Sequence, residues 1–78
     1  MIKTEIKEDA ELPYRIEIDG LKGASKTPSG AAIVALSVGG MIPKGIRDRK
    51  DIARYIFWNY EENTVWRKLI EILENDIF

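Results

Sequence analysis

Five cations, Lys44, Arg47, Arg49, Lys50 and Arg54, fall within eleven consecutive residues, and Trp58 follows one helical turn after the last of them. Guanidinium and ammonium groups at this density are suited to holding anions, whether the phosphates of a nucleic-acid backbone or the carboxylates of a protein. A tryptophan beside an arginine adds the apolar anchor typical of protein-binding hot spots, and its ring equally suits stacking against a base. Lys44, Arg47, Arg49, Lys50, Arg54 and Trp58 are therefore the candidate partner-binding residues. The competing account is a solvated helix start and loop. A second group, Lys22, Lys26, Thr27 and Ser29, surrounds the step Thr27-Pro28. That step reads as a helix start, where unpaired amides and the positive end of the helix dipole favour a phosphate or carboxylate. The pair Lys26-Thr27 does not come directly after a glycine, as the P-loop requires, and the dinucleotide fingerprint is absent. An ordinary cap with solvated lysines is the alternative for this group.

Catalytic chemistry finds little to work with. The chain has no His and no Cys, so the usual general base near neutral pH, the commonest metal ligand and the thiolate zinc site are all missing. Glu61 and Glu62 are adjacent and diverge on a helix; Glu71 and Glu74 share a face but lack a companion base, acid or ligand. The expectation is a non-enzymatic protein with no cofactor and no metal.

The charge is sorted into blocks. Residues 1–20 carry three bases and six acids, residues 21–55 seven bases and two acids, and residues 56–78 two bases and five acids. A chain that is nearly neutral overall but basic through its middle favours an anionic partner there. The acidic ends also offer a partner of their own, since the acidic N-terminal block of a second copy would complement the basic middle. A homodimer is thus one expectation. A sequence pI near 5.4 argues against a dedicated nucleic-acid binder. A protein partner is favoured, with nucleic-acid binding through the same basic face as the alternative.

These residues must be positioned by a small scaffold. Seventy-eight residues make one domain, near the lower limit for folding alone, and 45% apolar content is too high for a disordered chain. The longest apolar stretch, residues 31–42, is broken by Ser37, Gly39 and Gly40 and is too short to span a bilayer; no basic signal-peptide pattern precedes it. The expectation is a cytoplasmic protein with no membrane association. Ile2, Thr4 and Ile6 alternate with charged residues, as do Tyr14, Ile16 and Ile18, so each set predicts a half-buried strand. The second strand ends at the turn signal Asp19-Gly20, and residues 23–30 read as a loop.

Residues 31–38 follow the Thr27-Pro28 cap and precede Gly39-Gly40, a helix stop. Their alanine content favours a short helix, although Ile33, Val34 and Val38 would also suit a buried strand. Asp48 suits an N-cap, with Ile52, Ala53, Ile56, Phe57 and Tyr60 on one helical face, and with Phe57 and Trp66 expected in the core. Trp66, Leu69, Ile70, Leu73 and Ile77 form a second stripe turned roughly 110° from the first, so a break near residues 61–64 is required, with Asn63 or Thr64 capping a separate helix. The predicted fold is α+β over residues 1–78, an N-terminal antiparallel β-hairpin packed against two or three short helices.

The run Tyr14-Arg15-Ile16-Glu17-Ile18-Asp19-Gly20, with Thr27-Pro28-Ser29-Gly30-Ala31-Ala32 after it, resembles part of the RAMA domain, a small module that accompanies restriction enzymes and adenine methyltransferases. The similarity spans about a quarter of the chain. The family's Gly-Trp ending has no counterpart after Gly39-Gly40. The resemblance implies a DNA-associated accessory role with Lys26, Thr27 and Ser29 near the functional face. Apart from that resemblance, the residues fit an adaptor or inhibitor acting on a larger protein, as a virus or mobile element would carry, or a small subunit of a cytoplasmic assembly.

Overall fold

The computed structural model describes residues 1–78 and has three strands followed by three helices: β1 (Ile2–Ile6), β2 (Tyr14–Ile18), β3 (Leu21–Ser25), α1 (Pro28–Val38), α2 (Arg49–Asn59) and α3 (Thr64–Asn75). The strands form an antiparallel sheet in the order β1-β2-β3. The fold is thus α+β, and the expected hairpin is a three-stranded meander. The additional strand is β3, in a segment expected to be a loop. Its residues, Leu21-Lys22-Gly23-Ala24-Ser25, are mostly small and poor in β-branched types, so strand propensity is weak there. Its pairing is set by the turn instead. Asp19 and Gly20 have φ of 45° and 91°, and Ile18 lies opposite Leu21. This is a two-residue turn with both central residues at positive φ, the kind that matches strand twist and sends the chain straight back along β2.

Register assigns the faces. Ile2, Thr4 and Ile6 lie opposite Ile18, Ile16 and Tyr14, which in turn lie opposite Leu21, Gly23 and Ser25. This inner face carries the buried Ile16 and Ile18. The helices cover it over β2 and β3 but leave β1 as an open edge, with Ile6 exposed. Buried side chains form one cluster: Ile16 and Ile18 from the sheet, Ala31, Ala32, Ala35 and Leu36 from α1, Ile52, Ala53 and Ile56 from α2, and Leu69, Ile72 and Leu73 from α3. The small residues of α1 let it sit almost on the sheet backbone at Gly23.

Residues 31–38 are helical, and the two apolar stripes of the C-terminal half belong to two helices. Asn63 caps α3, its side chain accepting from the Trp66 amide at 3.0 Å. The chain turns between α2 and α3 at Tyr60, whose ring stacks on Trp66 with centroids 4.6 Å apart. The Tyr60 hydroxyl donates to the Met41 carbonyl at 2.7 Å, tying this turn to the loop ahead of α2. Burial, and then the neighbouring Tyr55, raise the Tyr60 pKa above its ordinary value. Tyr60→Phe should therefore lower stability by about 1 kcal/mol, because the part-buried Met41 carbonyl loses its donor. A fall in the urea midpoint at unchanged slope would register it.

Phe57 does not enter the core. It is 64% exposed, because α2 is rolled so that Ile52, Ala53 and Ile56 point inward and the next position faces the solvent side of the α2–α3 seam. Trp66 is half-buried, packed against the core cluster. Ile77 is also exposed; the chain leaves the helix at Asp76, in the left-handed conformation with φ 55°, and this redirects Phe78 onto the Tyr14 ring at 5.7 Å.

Candidate functional site: the exposed seam between α2 and α3

The fold separates the candidate cations rather than gathering them. Lys22 lies on β3 between Leu21 and Gly23, so it points to the outer face of the sheet. Lys44 and Arg47 are exposed in the loop ahead of α2, and Arg49, Lys50 and Arg54 lie on α2 itself. Arg49 is committed within the molecule: its guanidinium donates to the carbonyl of Leu73 at 2.7 Å and to that of Glu74. These are unpaired carbonyls of the last turn of α3, where a cation also meets the negative end of the helix dipole. Arg54 pairs with Asp51 at 3.3 Å on the surface. Lys50 has no ion-pair partner in the chain.

The second candidate group is also divided. Thr27 caps α1 as expected, its hydroxyl accepting from the Gly30 amide at 3.0 Å. Pro28 has no amide hydrogen, and the Ala31 amide bonds to the Thr27 carbonyl. The remaining first-turn donor, the Ser29 amide, is bonded at 2.9 Å to the Asp76 carboxylate. Every first-turn amide is thus satisfied. The helix start does hold a carboxylate, and that carboxylate belongs to the chain. Ser29 is 5% exposed, so it does not join Lys26 and Thr27 at the surface. Its hydroxyl, followed by its amide, holds the Asp76 carboxyl below the usual range against the opposing effect of burial, and the Arg49 charge adds to this. Arg49 and Asp76 therefore form a clasp that fixes the end of α3 to the starts of α1 and α2.

Removing Arg49 from the surface set leaves α2 with a narrower feature. Lys50, Arg54 and Phe57 line the seam with α3, facing Ile70, Glu74 and Asn75. Farther along, Phe57 and Ile70 meet Tyr60, Trp66 and Glu71 in a groove of about 430 Å³. Trp58 is 77% exposed and packs edge-on against Phe57 at 5.4 Å between ring centroids. Two large aromatic rings thus stand in water beside a partly open groove whose apolar floor is flanked by Glu62, Arg67, Glu71 and Glu74, with Lys50 and Arg54 at one end. Trp58 and Arg54 were legible as a pair from their spacing. Phe57, Ile70 and the acidic edge formed by Glu71 and Glu74 were not, because they become one surface only when α2 and α3 pack side by side.

A second surface is created by strand register. Lys3, Glu17 and Lys22 align across the three strands, with Glu5 opposite Arg15 in the next outward row. A shallow depression of about 680 Å³ touches these residues and Lys7, together with Thr4, Ile16 and Gly23 of the inner face and Val34 of α1. Four cations drawn from two sequence blocks therefore share one face with two carboxylates. The turn at Asp19-Gly20 was the available signal, since a two-residue hairpin places Lys22 beside Glu17. Opposite charges on directly paired positions support the register and offset much of the field.

No three acidic side chains come together as a metal-ligand set, and no helix is long and apolar enough to cross a membrane. No family model, no curated protein and no solved structure matches the chain.

Proposed function

We propose that this chain is a non-enzymatic protein-binding module whose docking surface is the seam between α2 and α3. Phe57 and Trp58 are the anchors, and Lys50 and Arg54 set charge complementarity. The observation that carries this reading is the exposure of Phe57 and Trp58, 64% and 77%, side by side on one helix. Aromatic side chains of this size bring large favourable burial when a partner covers them, and hot spots are enriched in tryptophan with arginine nearby. The chemistry of the partner follows: an apolar patch bordered by carboxylates. The absence of His and Cys from the sequence supports the non-enzymatic part of the reading.

A photo-crosslinking amino acid at position 58 tests this in cells, with the same probe at position 3 on the outer sheet face as the control. A protein adduct at position 58 that is absent at position 3, and that weakens about tenfold or more on Phe57→Ala, supports the reading. Adducts with nucleic acid alone, or none at position 58, overturn it. Nucleic-acid binding would also show the steep log–log salt dependence of phosphate contacts.

A further inference from the structure

We propose that the partner of the α2–α3 seam is a second copy of this chain, giving a two-fold dimer in which α2 of each protomer lies on α3 of the other. This rests on the reading of that seam as a docking surface. The seam is self-complementary in a specific way. Helices α2 and α3 run antiparallel, as the reach of Arg49 at the start of α2 to Leu73 and Glu74 at the end of α3 requires. Lys50 and Arg54 therefore lie at the same height as Glu71 and Glu74, and Phe57 lies level with Ile70 and Trp66. At this end of the seam the α2 edge is basic and the α3 edge acidic; Arg67, farther along α3, also lines the groove but is paired with Glu62 within the chain. Lys50, Glu71 and Glu74 have no ion-pair partner within the chain, and Arg54 has only an exposed pairing with Asp51.

Of the two ways to place a two-fold axis in the plane of this face, only one matches these charges. An axis across the helices sets α2 on α2 and brings like edges together. An axis parallel to the helices sets α2 on α3 at equal height. Lys50 and Arg54 then meet the second copy's acidic pair, and Phe57 meets its Ile70 and Trp66. Such an interface is isologous, each contact occurring twice, and covers the apolar groove of both copies with one operation. It also supplies the burial that a chain near the lower size limit lacks alone. The acidic complement comes from α3, and not from the N-terminal block whose net charge first suggested self-association.

Sedimentation of the purified chain at low salt and on the order of 100 µM, where even a dimer with Kd ~10 µM is mostly assembled, should give a dimer. Reversing the basic edge (Lys50→Glu with Arg54→Glu) or the acidic edge (Glu71→Lys with Glu74→Lys) should weaken self-association by about tenfold or more, because like charges then face each other. All four positions are exposed, so the fold is retained, and circular dichroism checks it. Mixing the two reversed variants should restore a dimer, since each supplies the edge that the other lacks. A monomeric wild type overturns the proposal, as does a wild-type dimer that the mixed variants fail to rebuild. A monomer that still gives a position-58 adduct with another protein removes the dimer alone and leaves the docking surface standing.

Discussion

Gly23→Ala is expected to destabilise the protein by about 3 kcal/mol or more, the largest effect of any single methyl group in the chain. A Cβ at this position would sit 2.1 Å from the Ala31 carbonyl oxygen and 2.6 Å from the Ala35 amide nitrogen. Both are backbone atoms of α1, so no rotamer change relieves the clash. The helix must lift from β3, and lifting it separates Ala31, Ala32, Ala35 and Leu36, all fully buried, from the sheet and from the other helices. Overpacking usually costs about 1–3 kcal/mol and occasionally more; contact with rigid backbone places this case at the upper end. A chain of this length has roughly 4–12 kcal/mol in total, so the variant should be partly unfolded under conditions where wild type is not. Gly45→Ala provides the control: nothing lies within 4 Å of its Cβ and its φ is not positive, so stability should change by no more than about 0.5 kcal/mol. Urea titration of the three proteins measures both effects. A Gly23→Ala midpoint indistinguishable from wild type would mean that α1 does not lie against β3 as described.

The same contact explains what the sequence could and could not reveal. Alternation at Ile2–Ile6 and Tyr14–Ile18, the Thr27-Pro28 cap and the pair of misaligned stripes are local signals, and β1, β2, α1, α2 and α3 were legible from them. The third strand was not, because β3 is shaped by what lies on top of it. Close approach of a helix requires glycine and alanine there, and those residues erase the pattern that announces a strand. Only Asp19-Gly20, two residues suited to positive φ, pointed to a return strand. The site follows the same logic. Clustering of cations along the chain said nothing of direction: Arg49 turns inward to the carbonyls of α3 while Lys50, its neighbour, turns to solvent. Phe57 and Ile56 are likewise adjacent and on opposite sides of the core boundary. Periodicity locates a stripe to within about one residue, and at the edge of a stripe that residue decides between core and surface. The function of Asp76 was the least accessible, since it caps a helix 47 positions earlier in the chain.

That cap should make the protein sensitive to acid. Asp76→Ala should lose about 1–2 kcal/mol at neutral pH, the cost of removing a helix-capping acceptor, and Arg49→Ala a similar amount through the two α3 carbonyls left without their donor. The two groups act on the same end of α3 and the Arg49 charge favours the ionised Asp76, so the double variant should deviate from additivity. Acid separates the two roles. The folded Asp76 carboxyl has a pKa below the ordinary 3.8, which the unfolded chain approximates. Its contribution is therefore complete above the unfolded value and disappears as pH falls from there through the lower folded value, because the unfolded state takes up the proton first. Arg49 stays charged throughout this range. Melting temperature should fall as pH drops below about 4 more steeply in wild type than in Asp76→Asn, a substitution that tolerates the left-handed backbone but has no charge to titrate. The Arg49→Ala variant should keep most of the wild-type slope from a lower starting point. Parallel pH profiles for wild type and Asp76→Asn would show that the Asp76 carboxylate does not hold α1 and α3 together in solution.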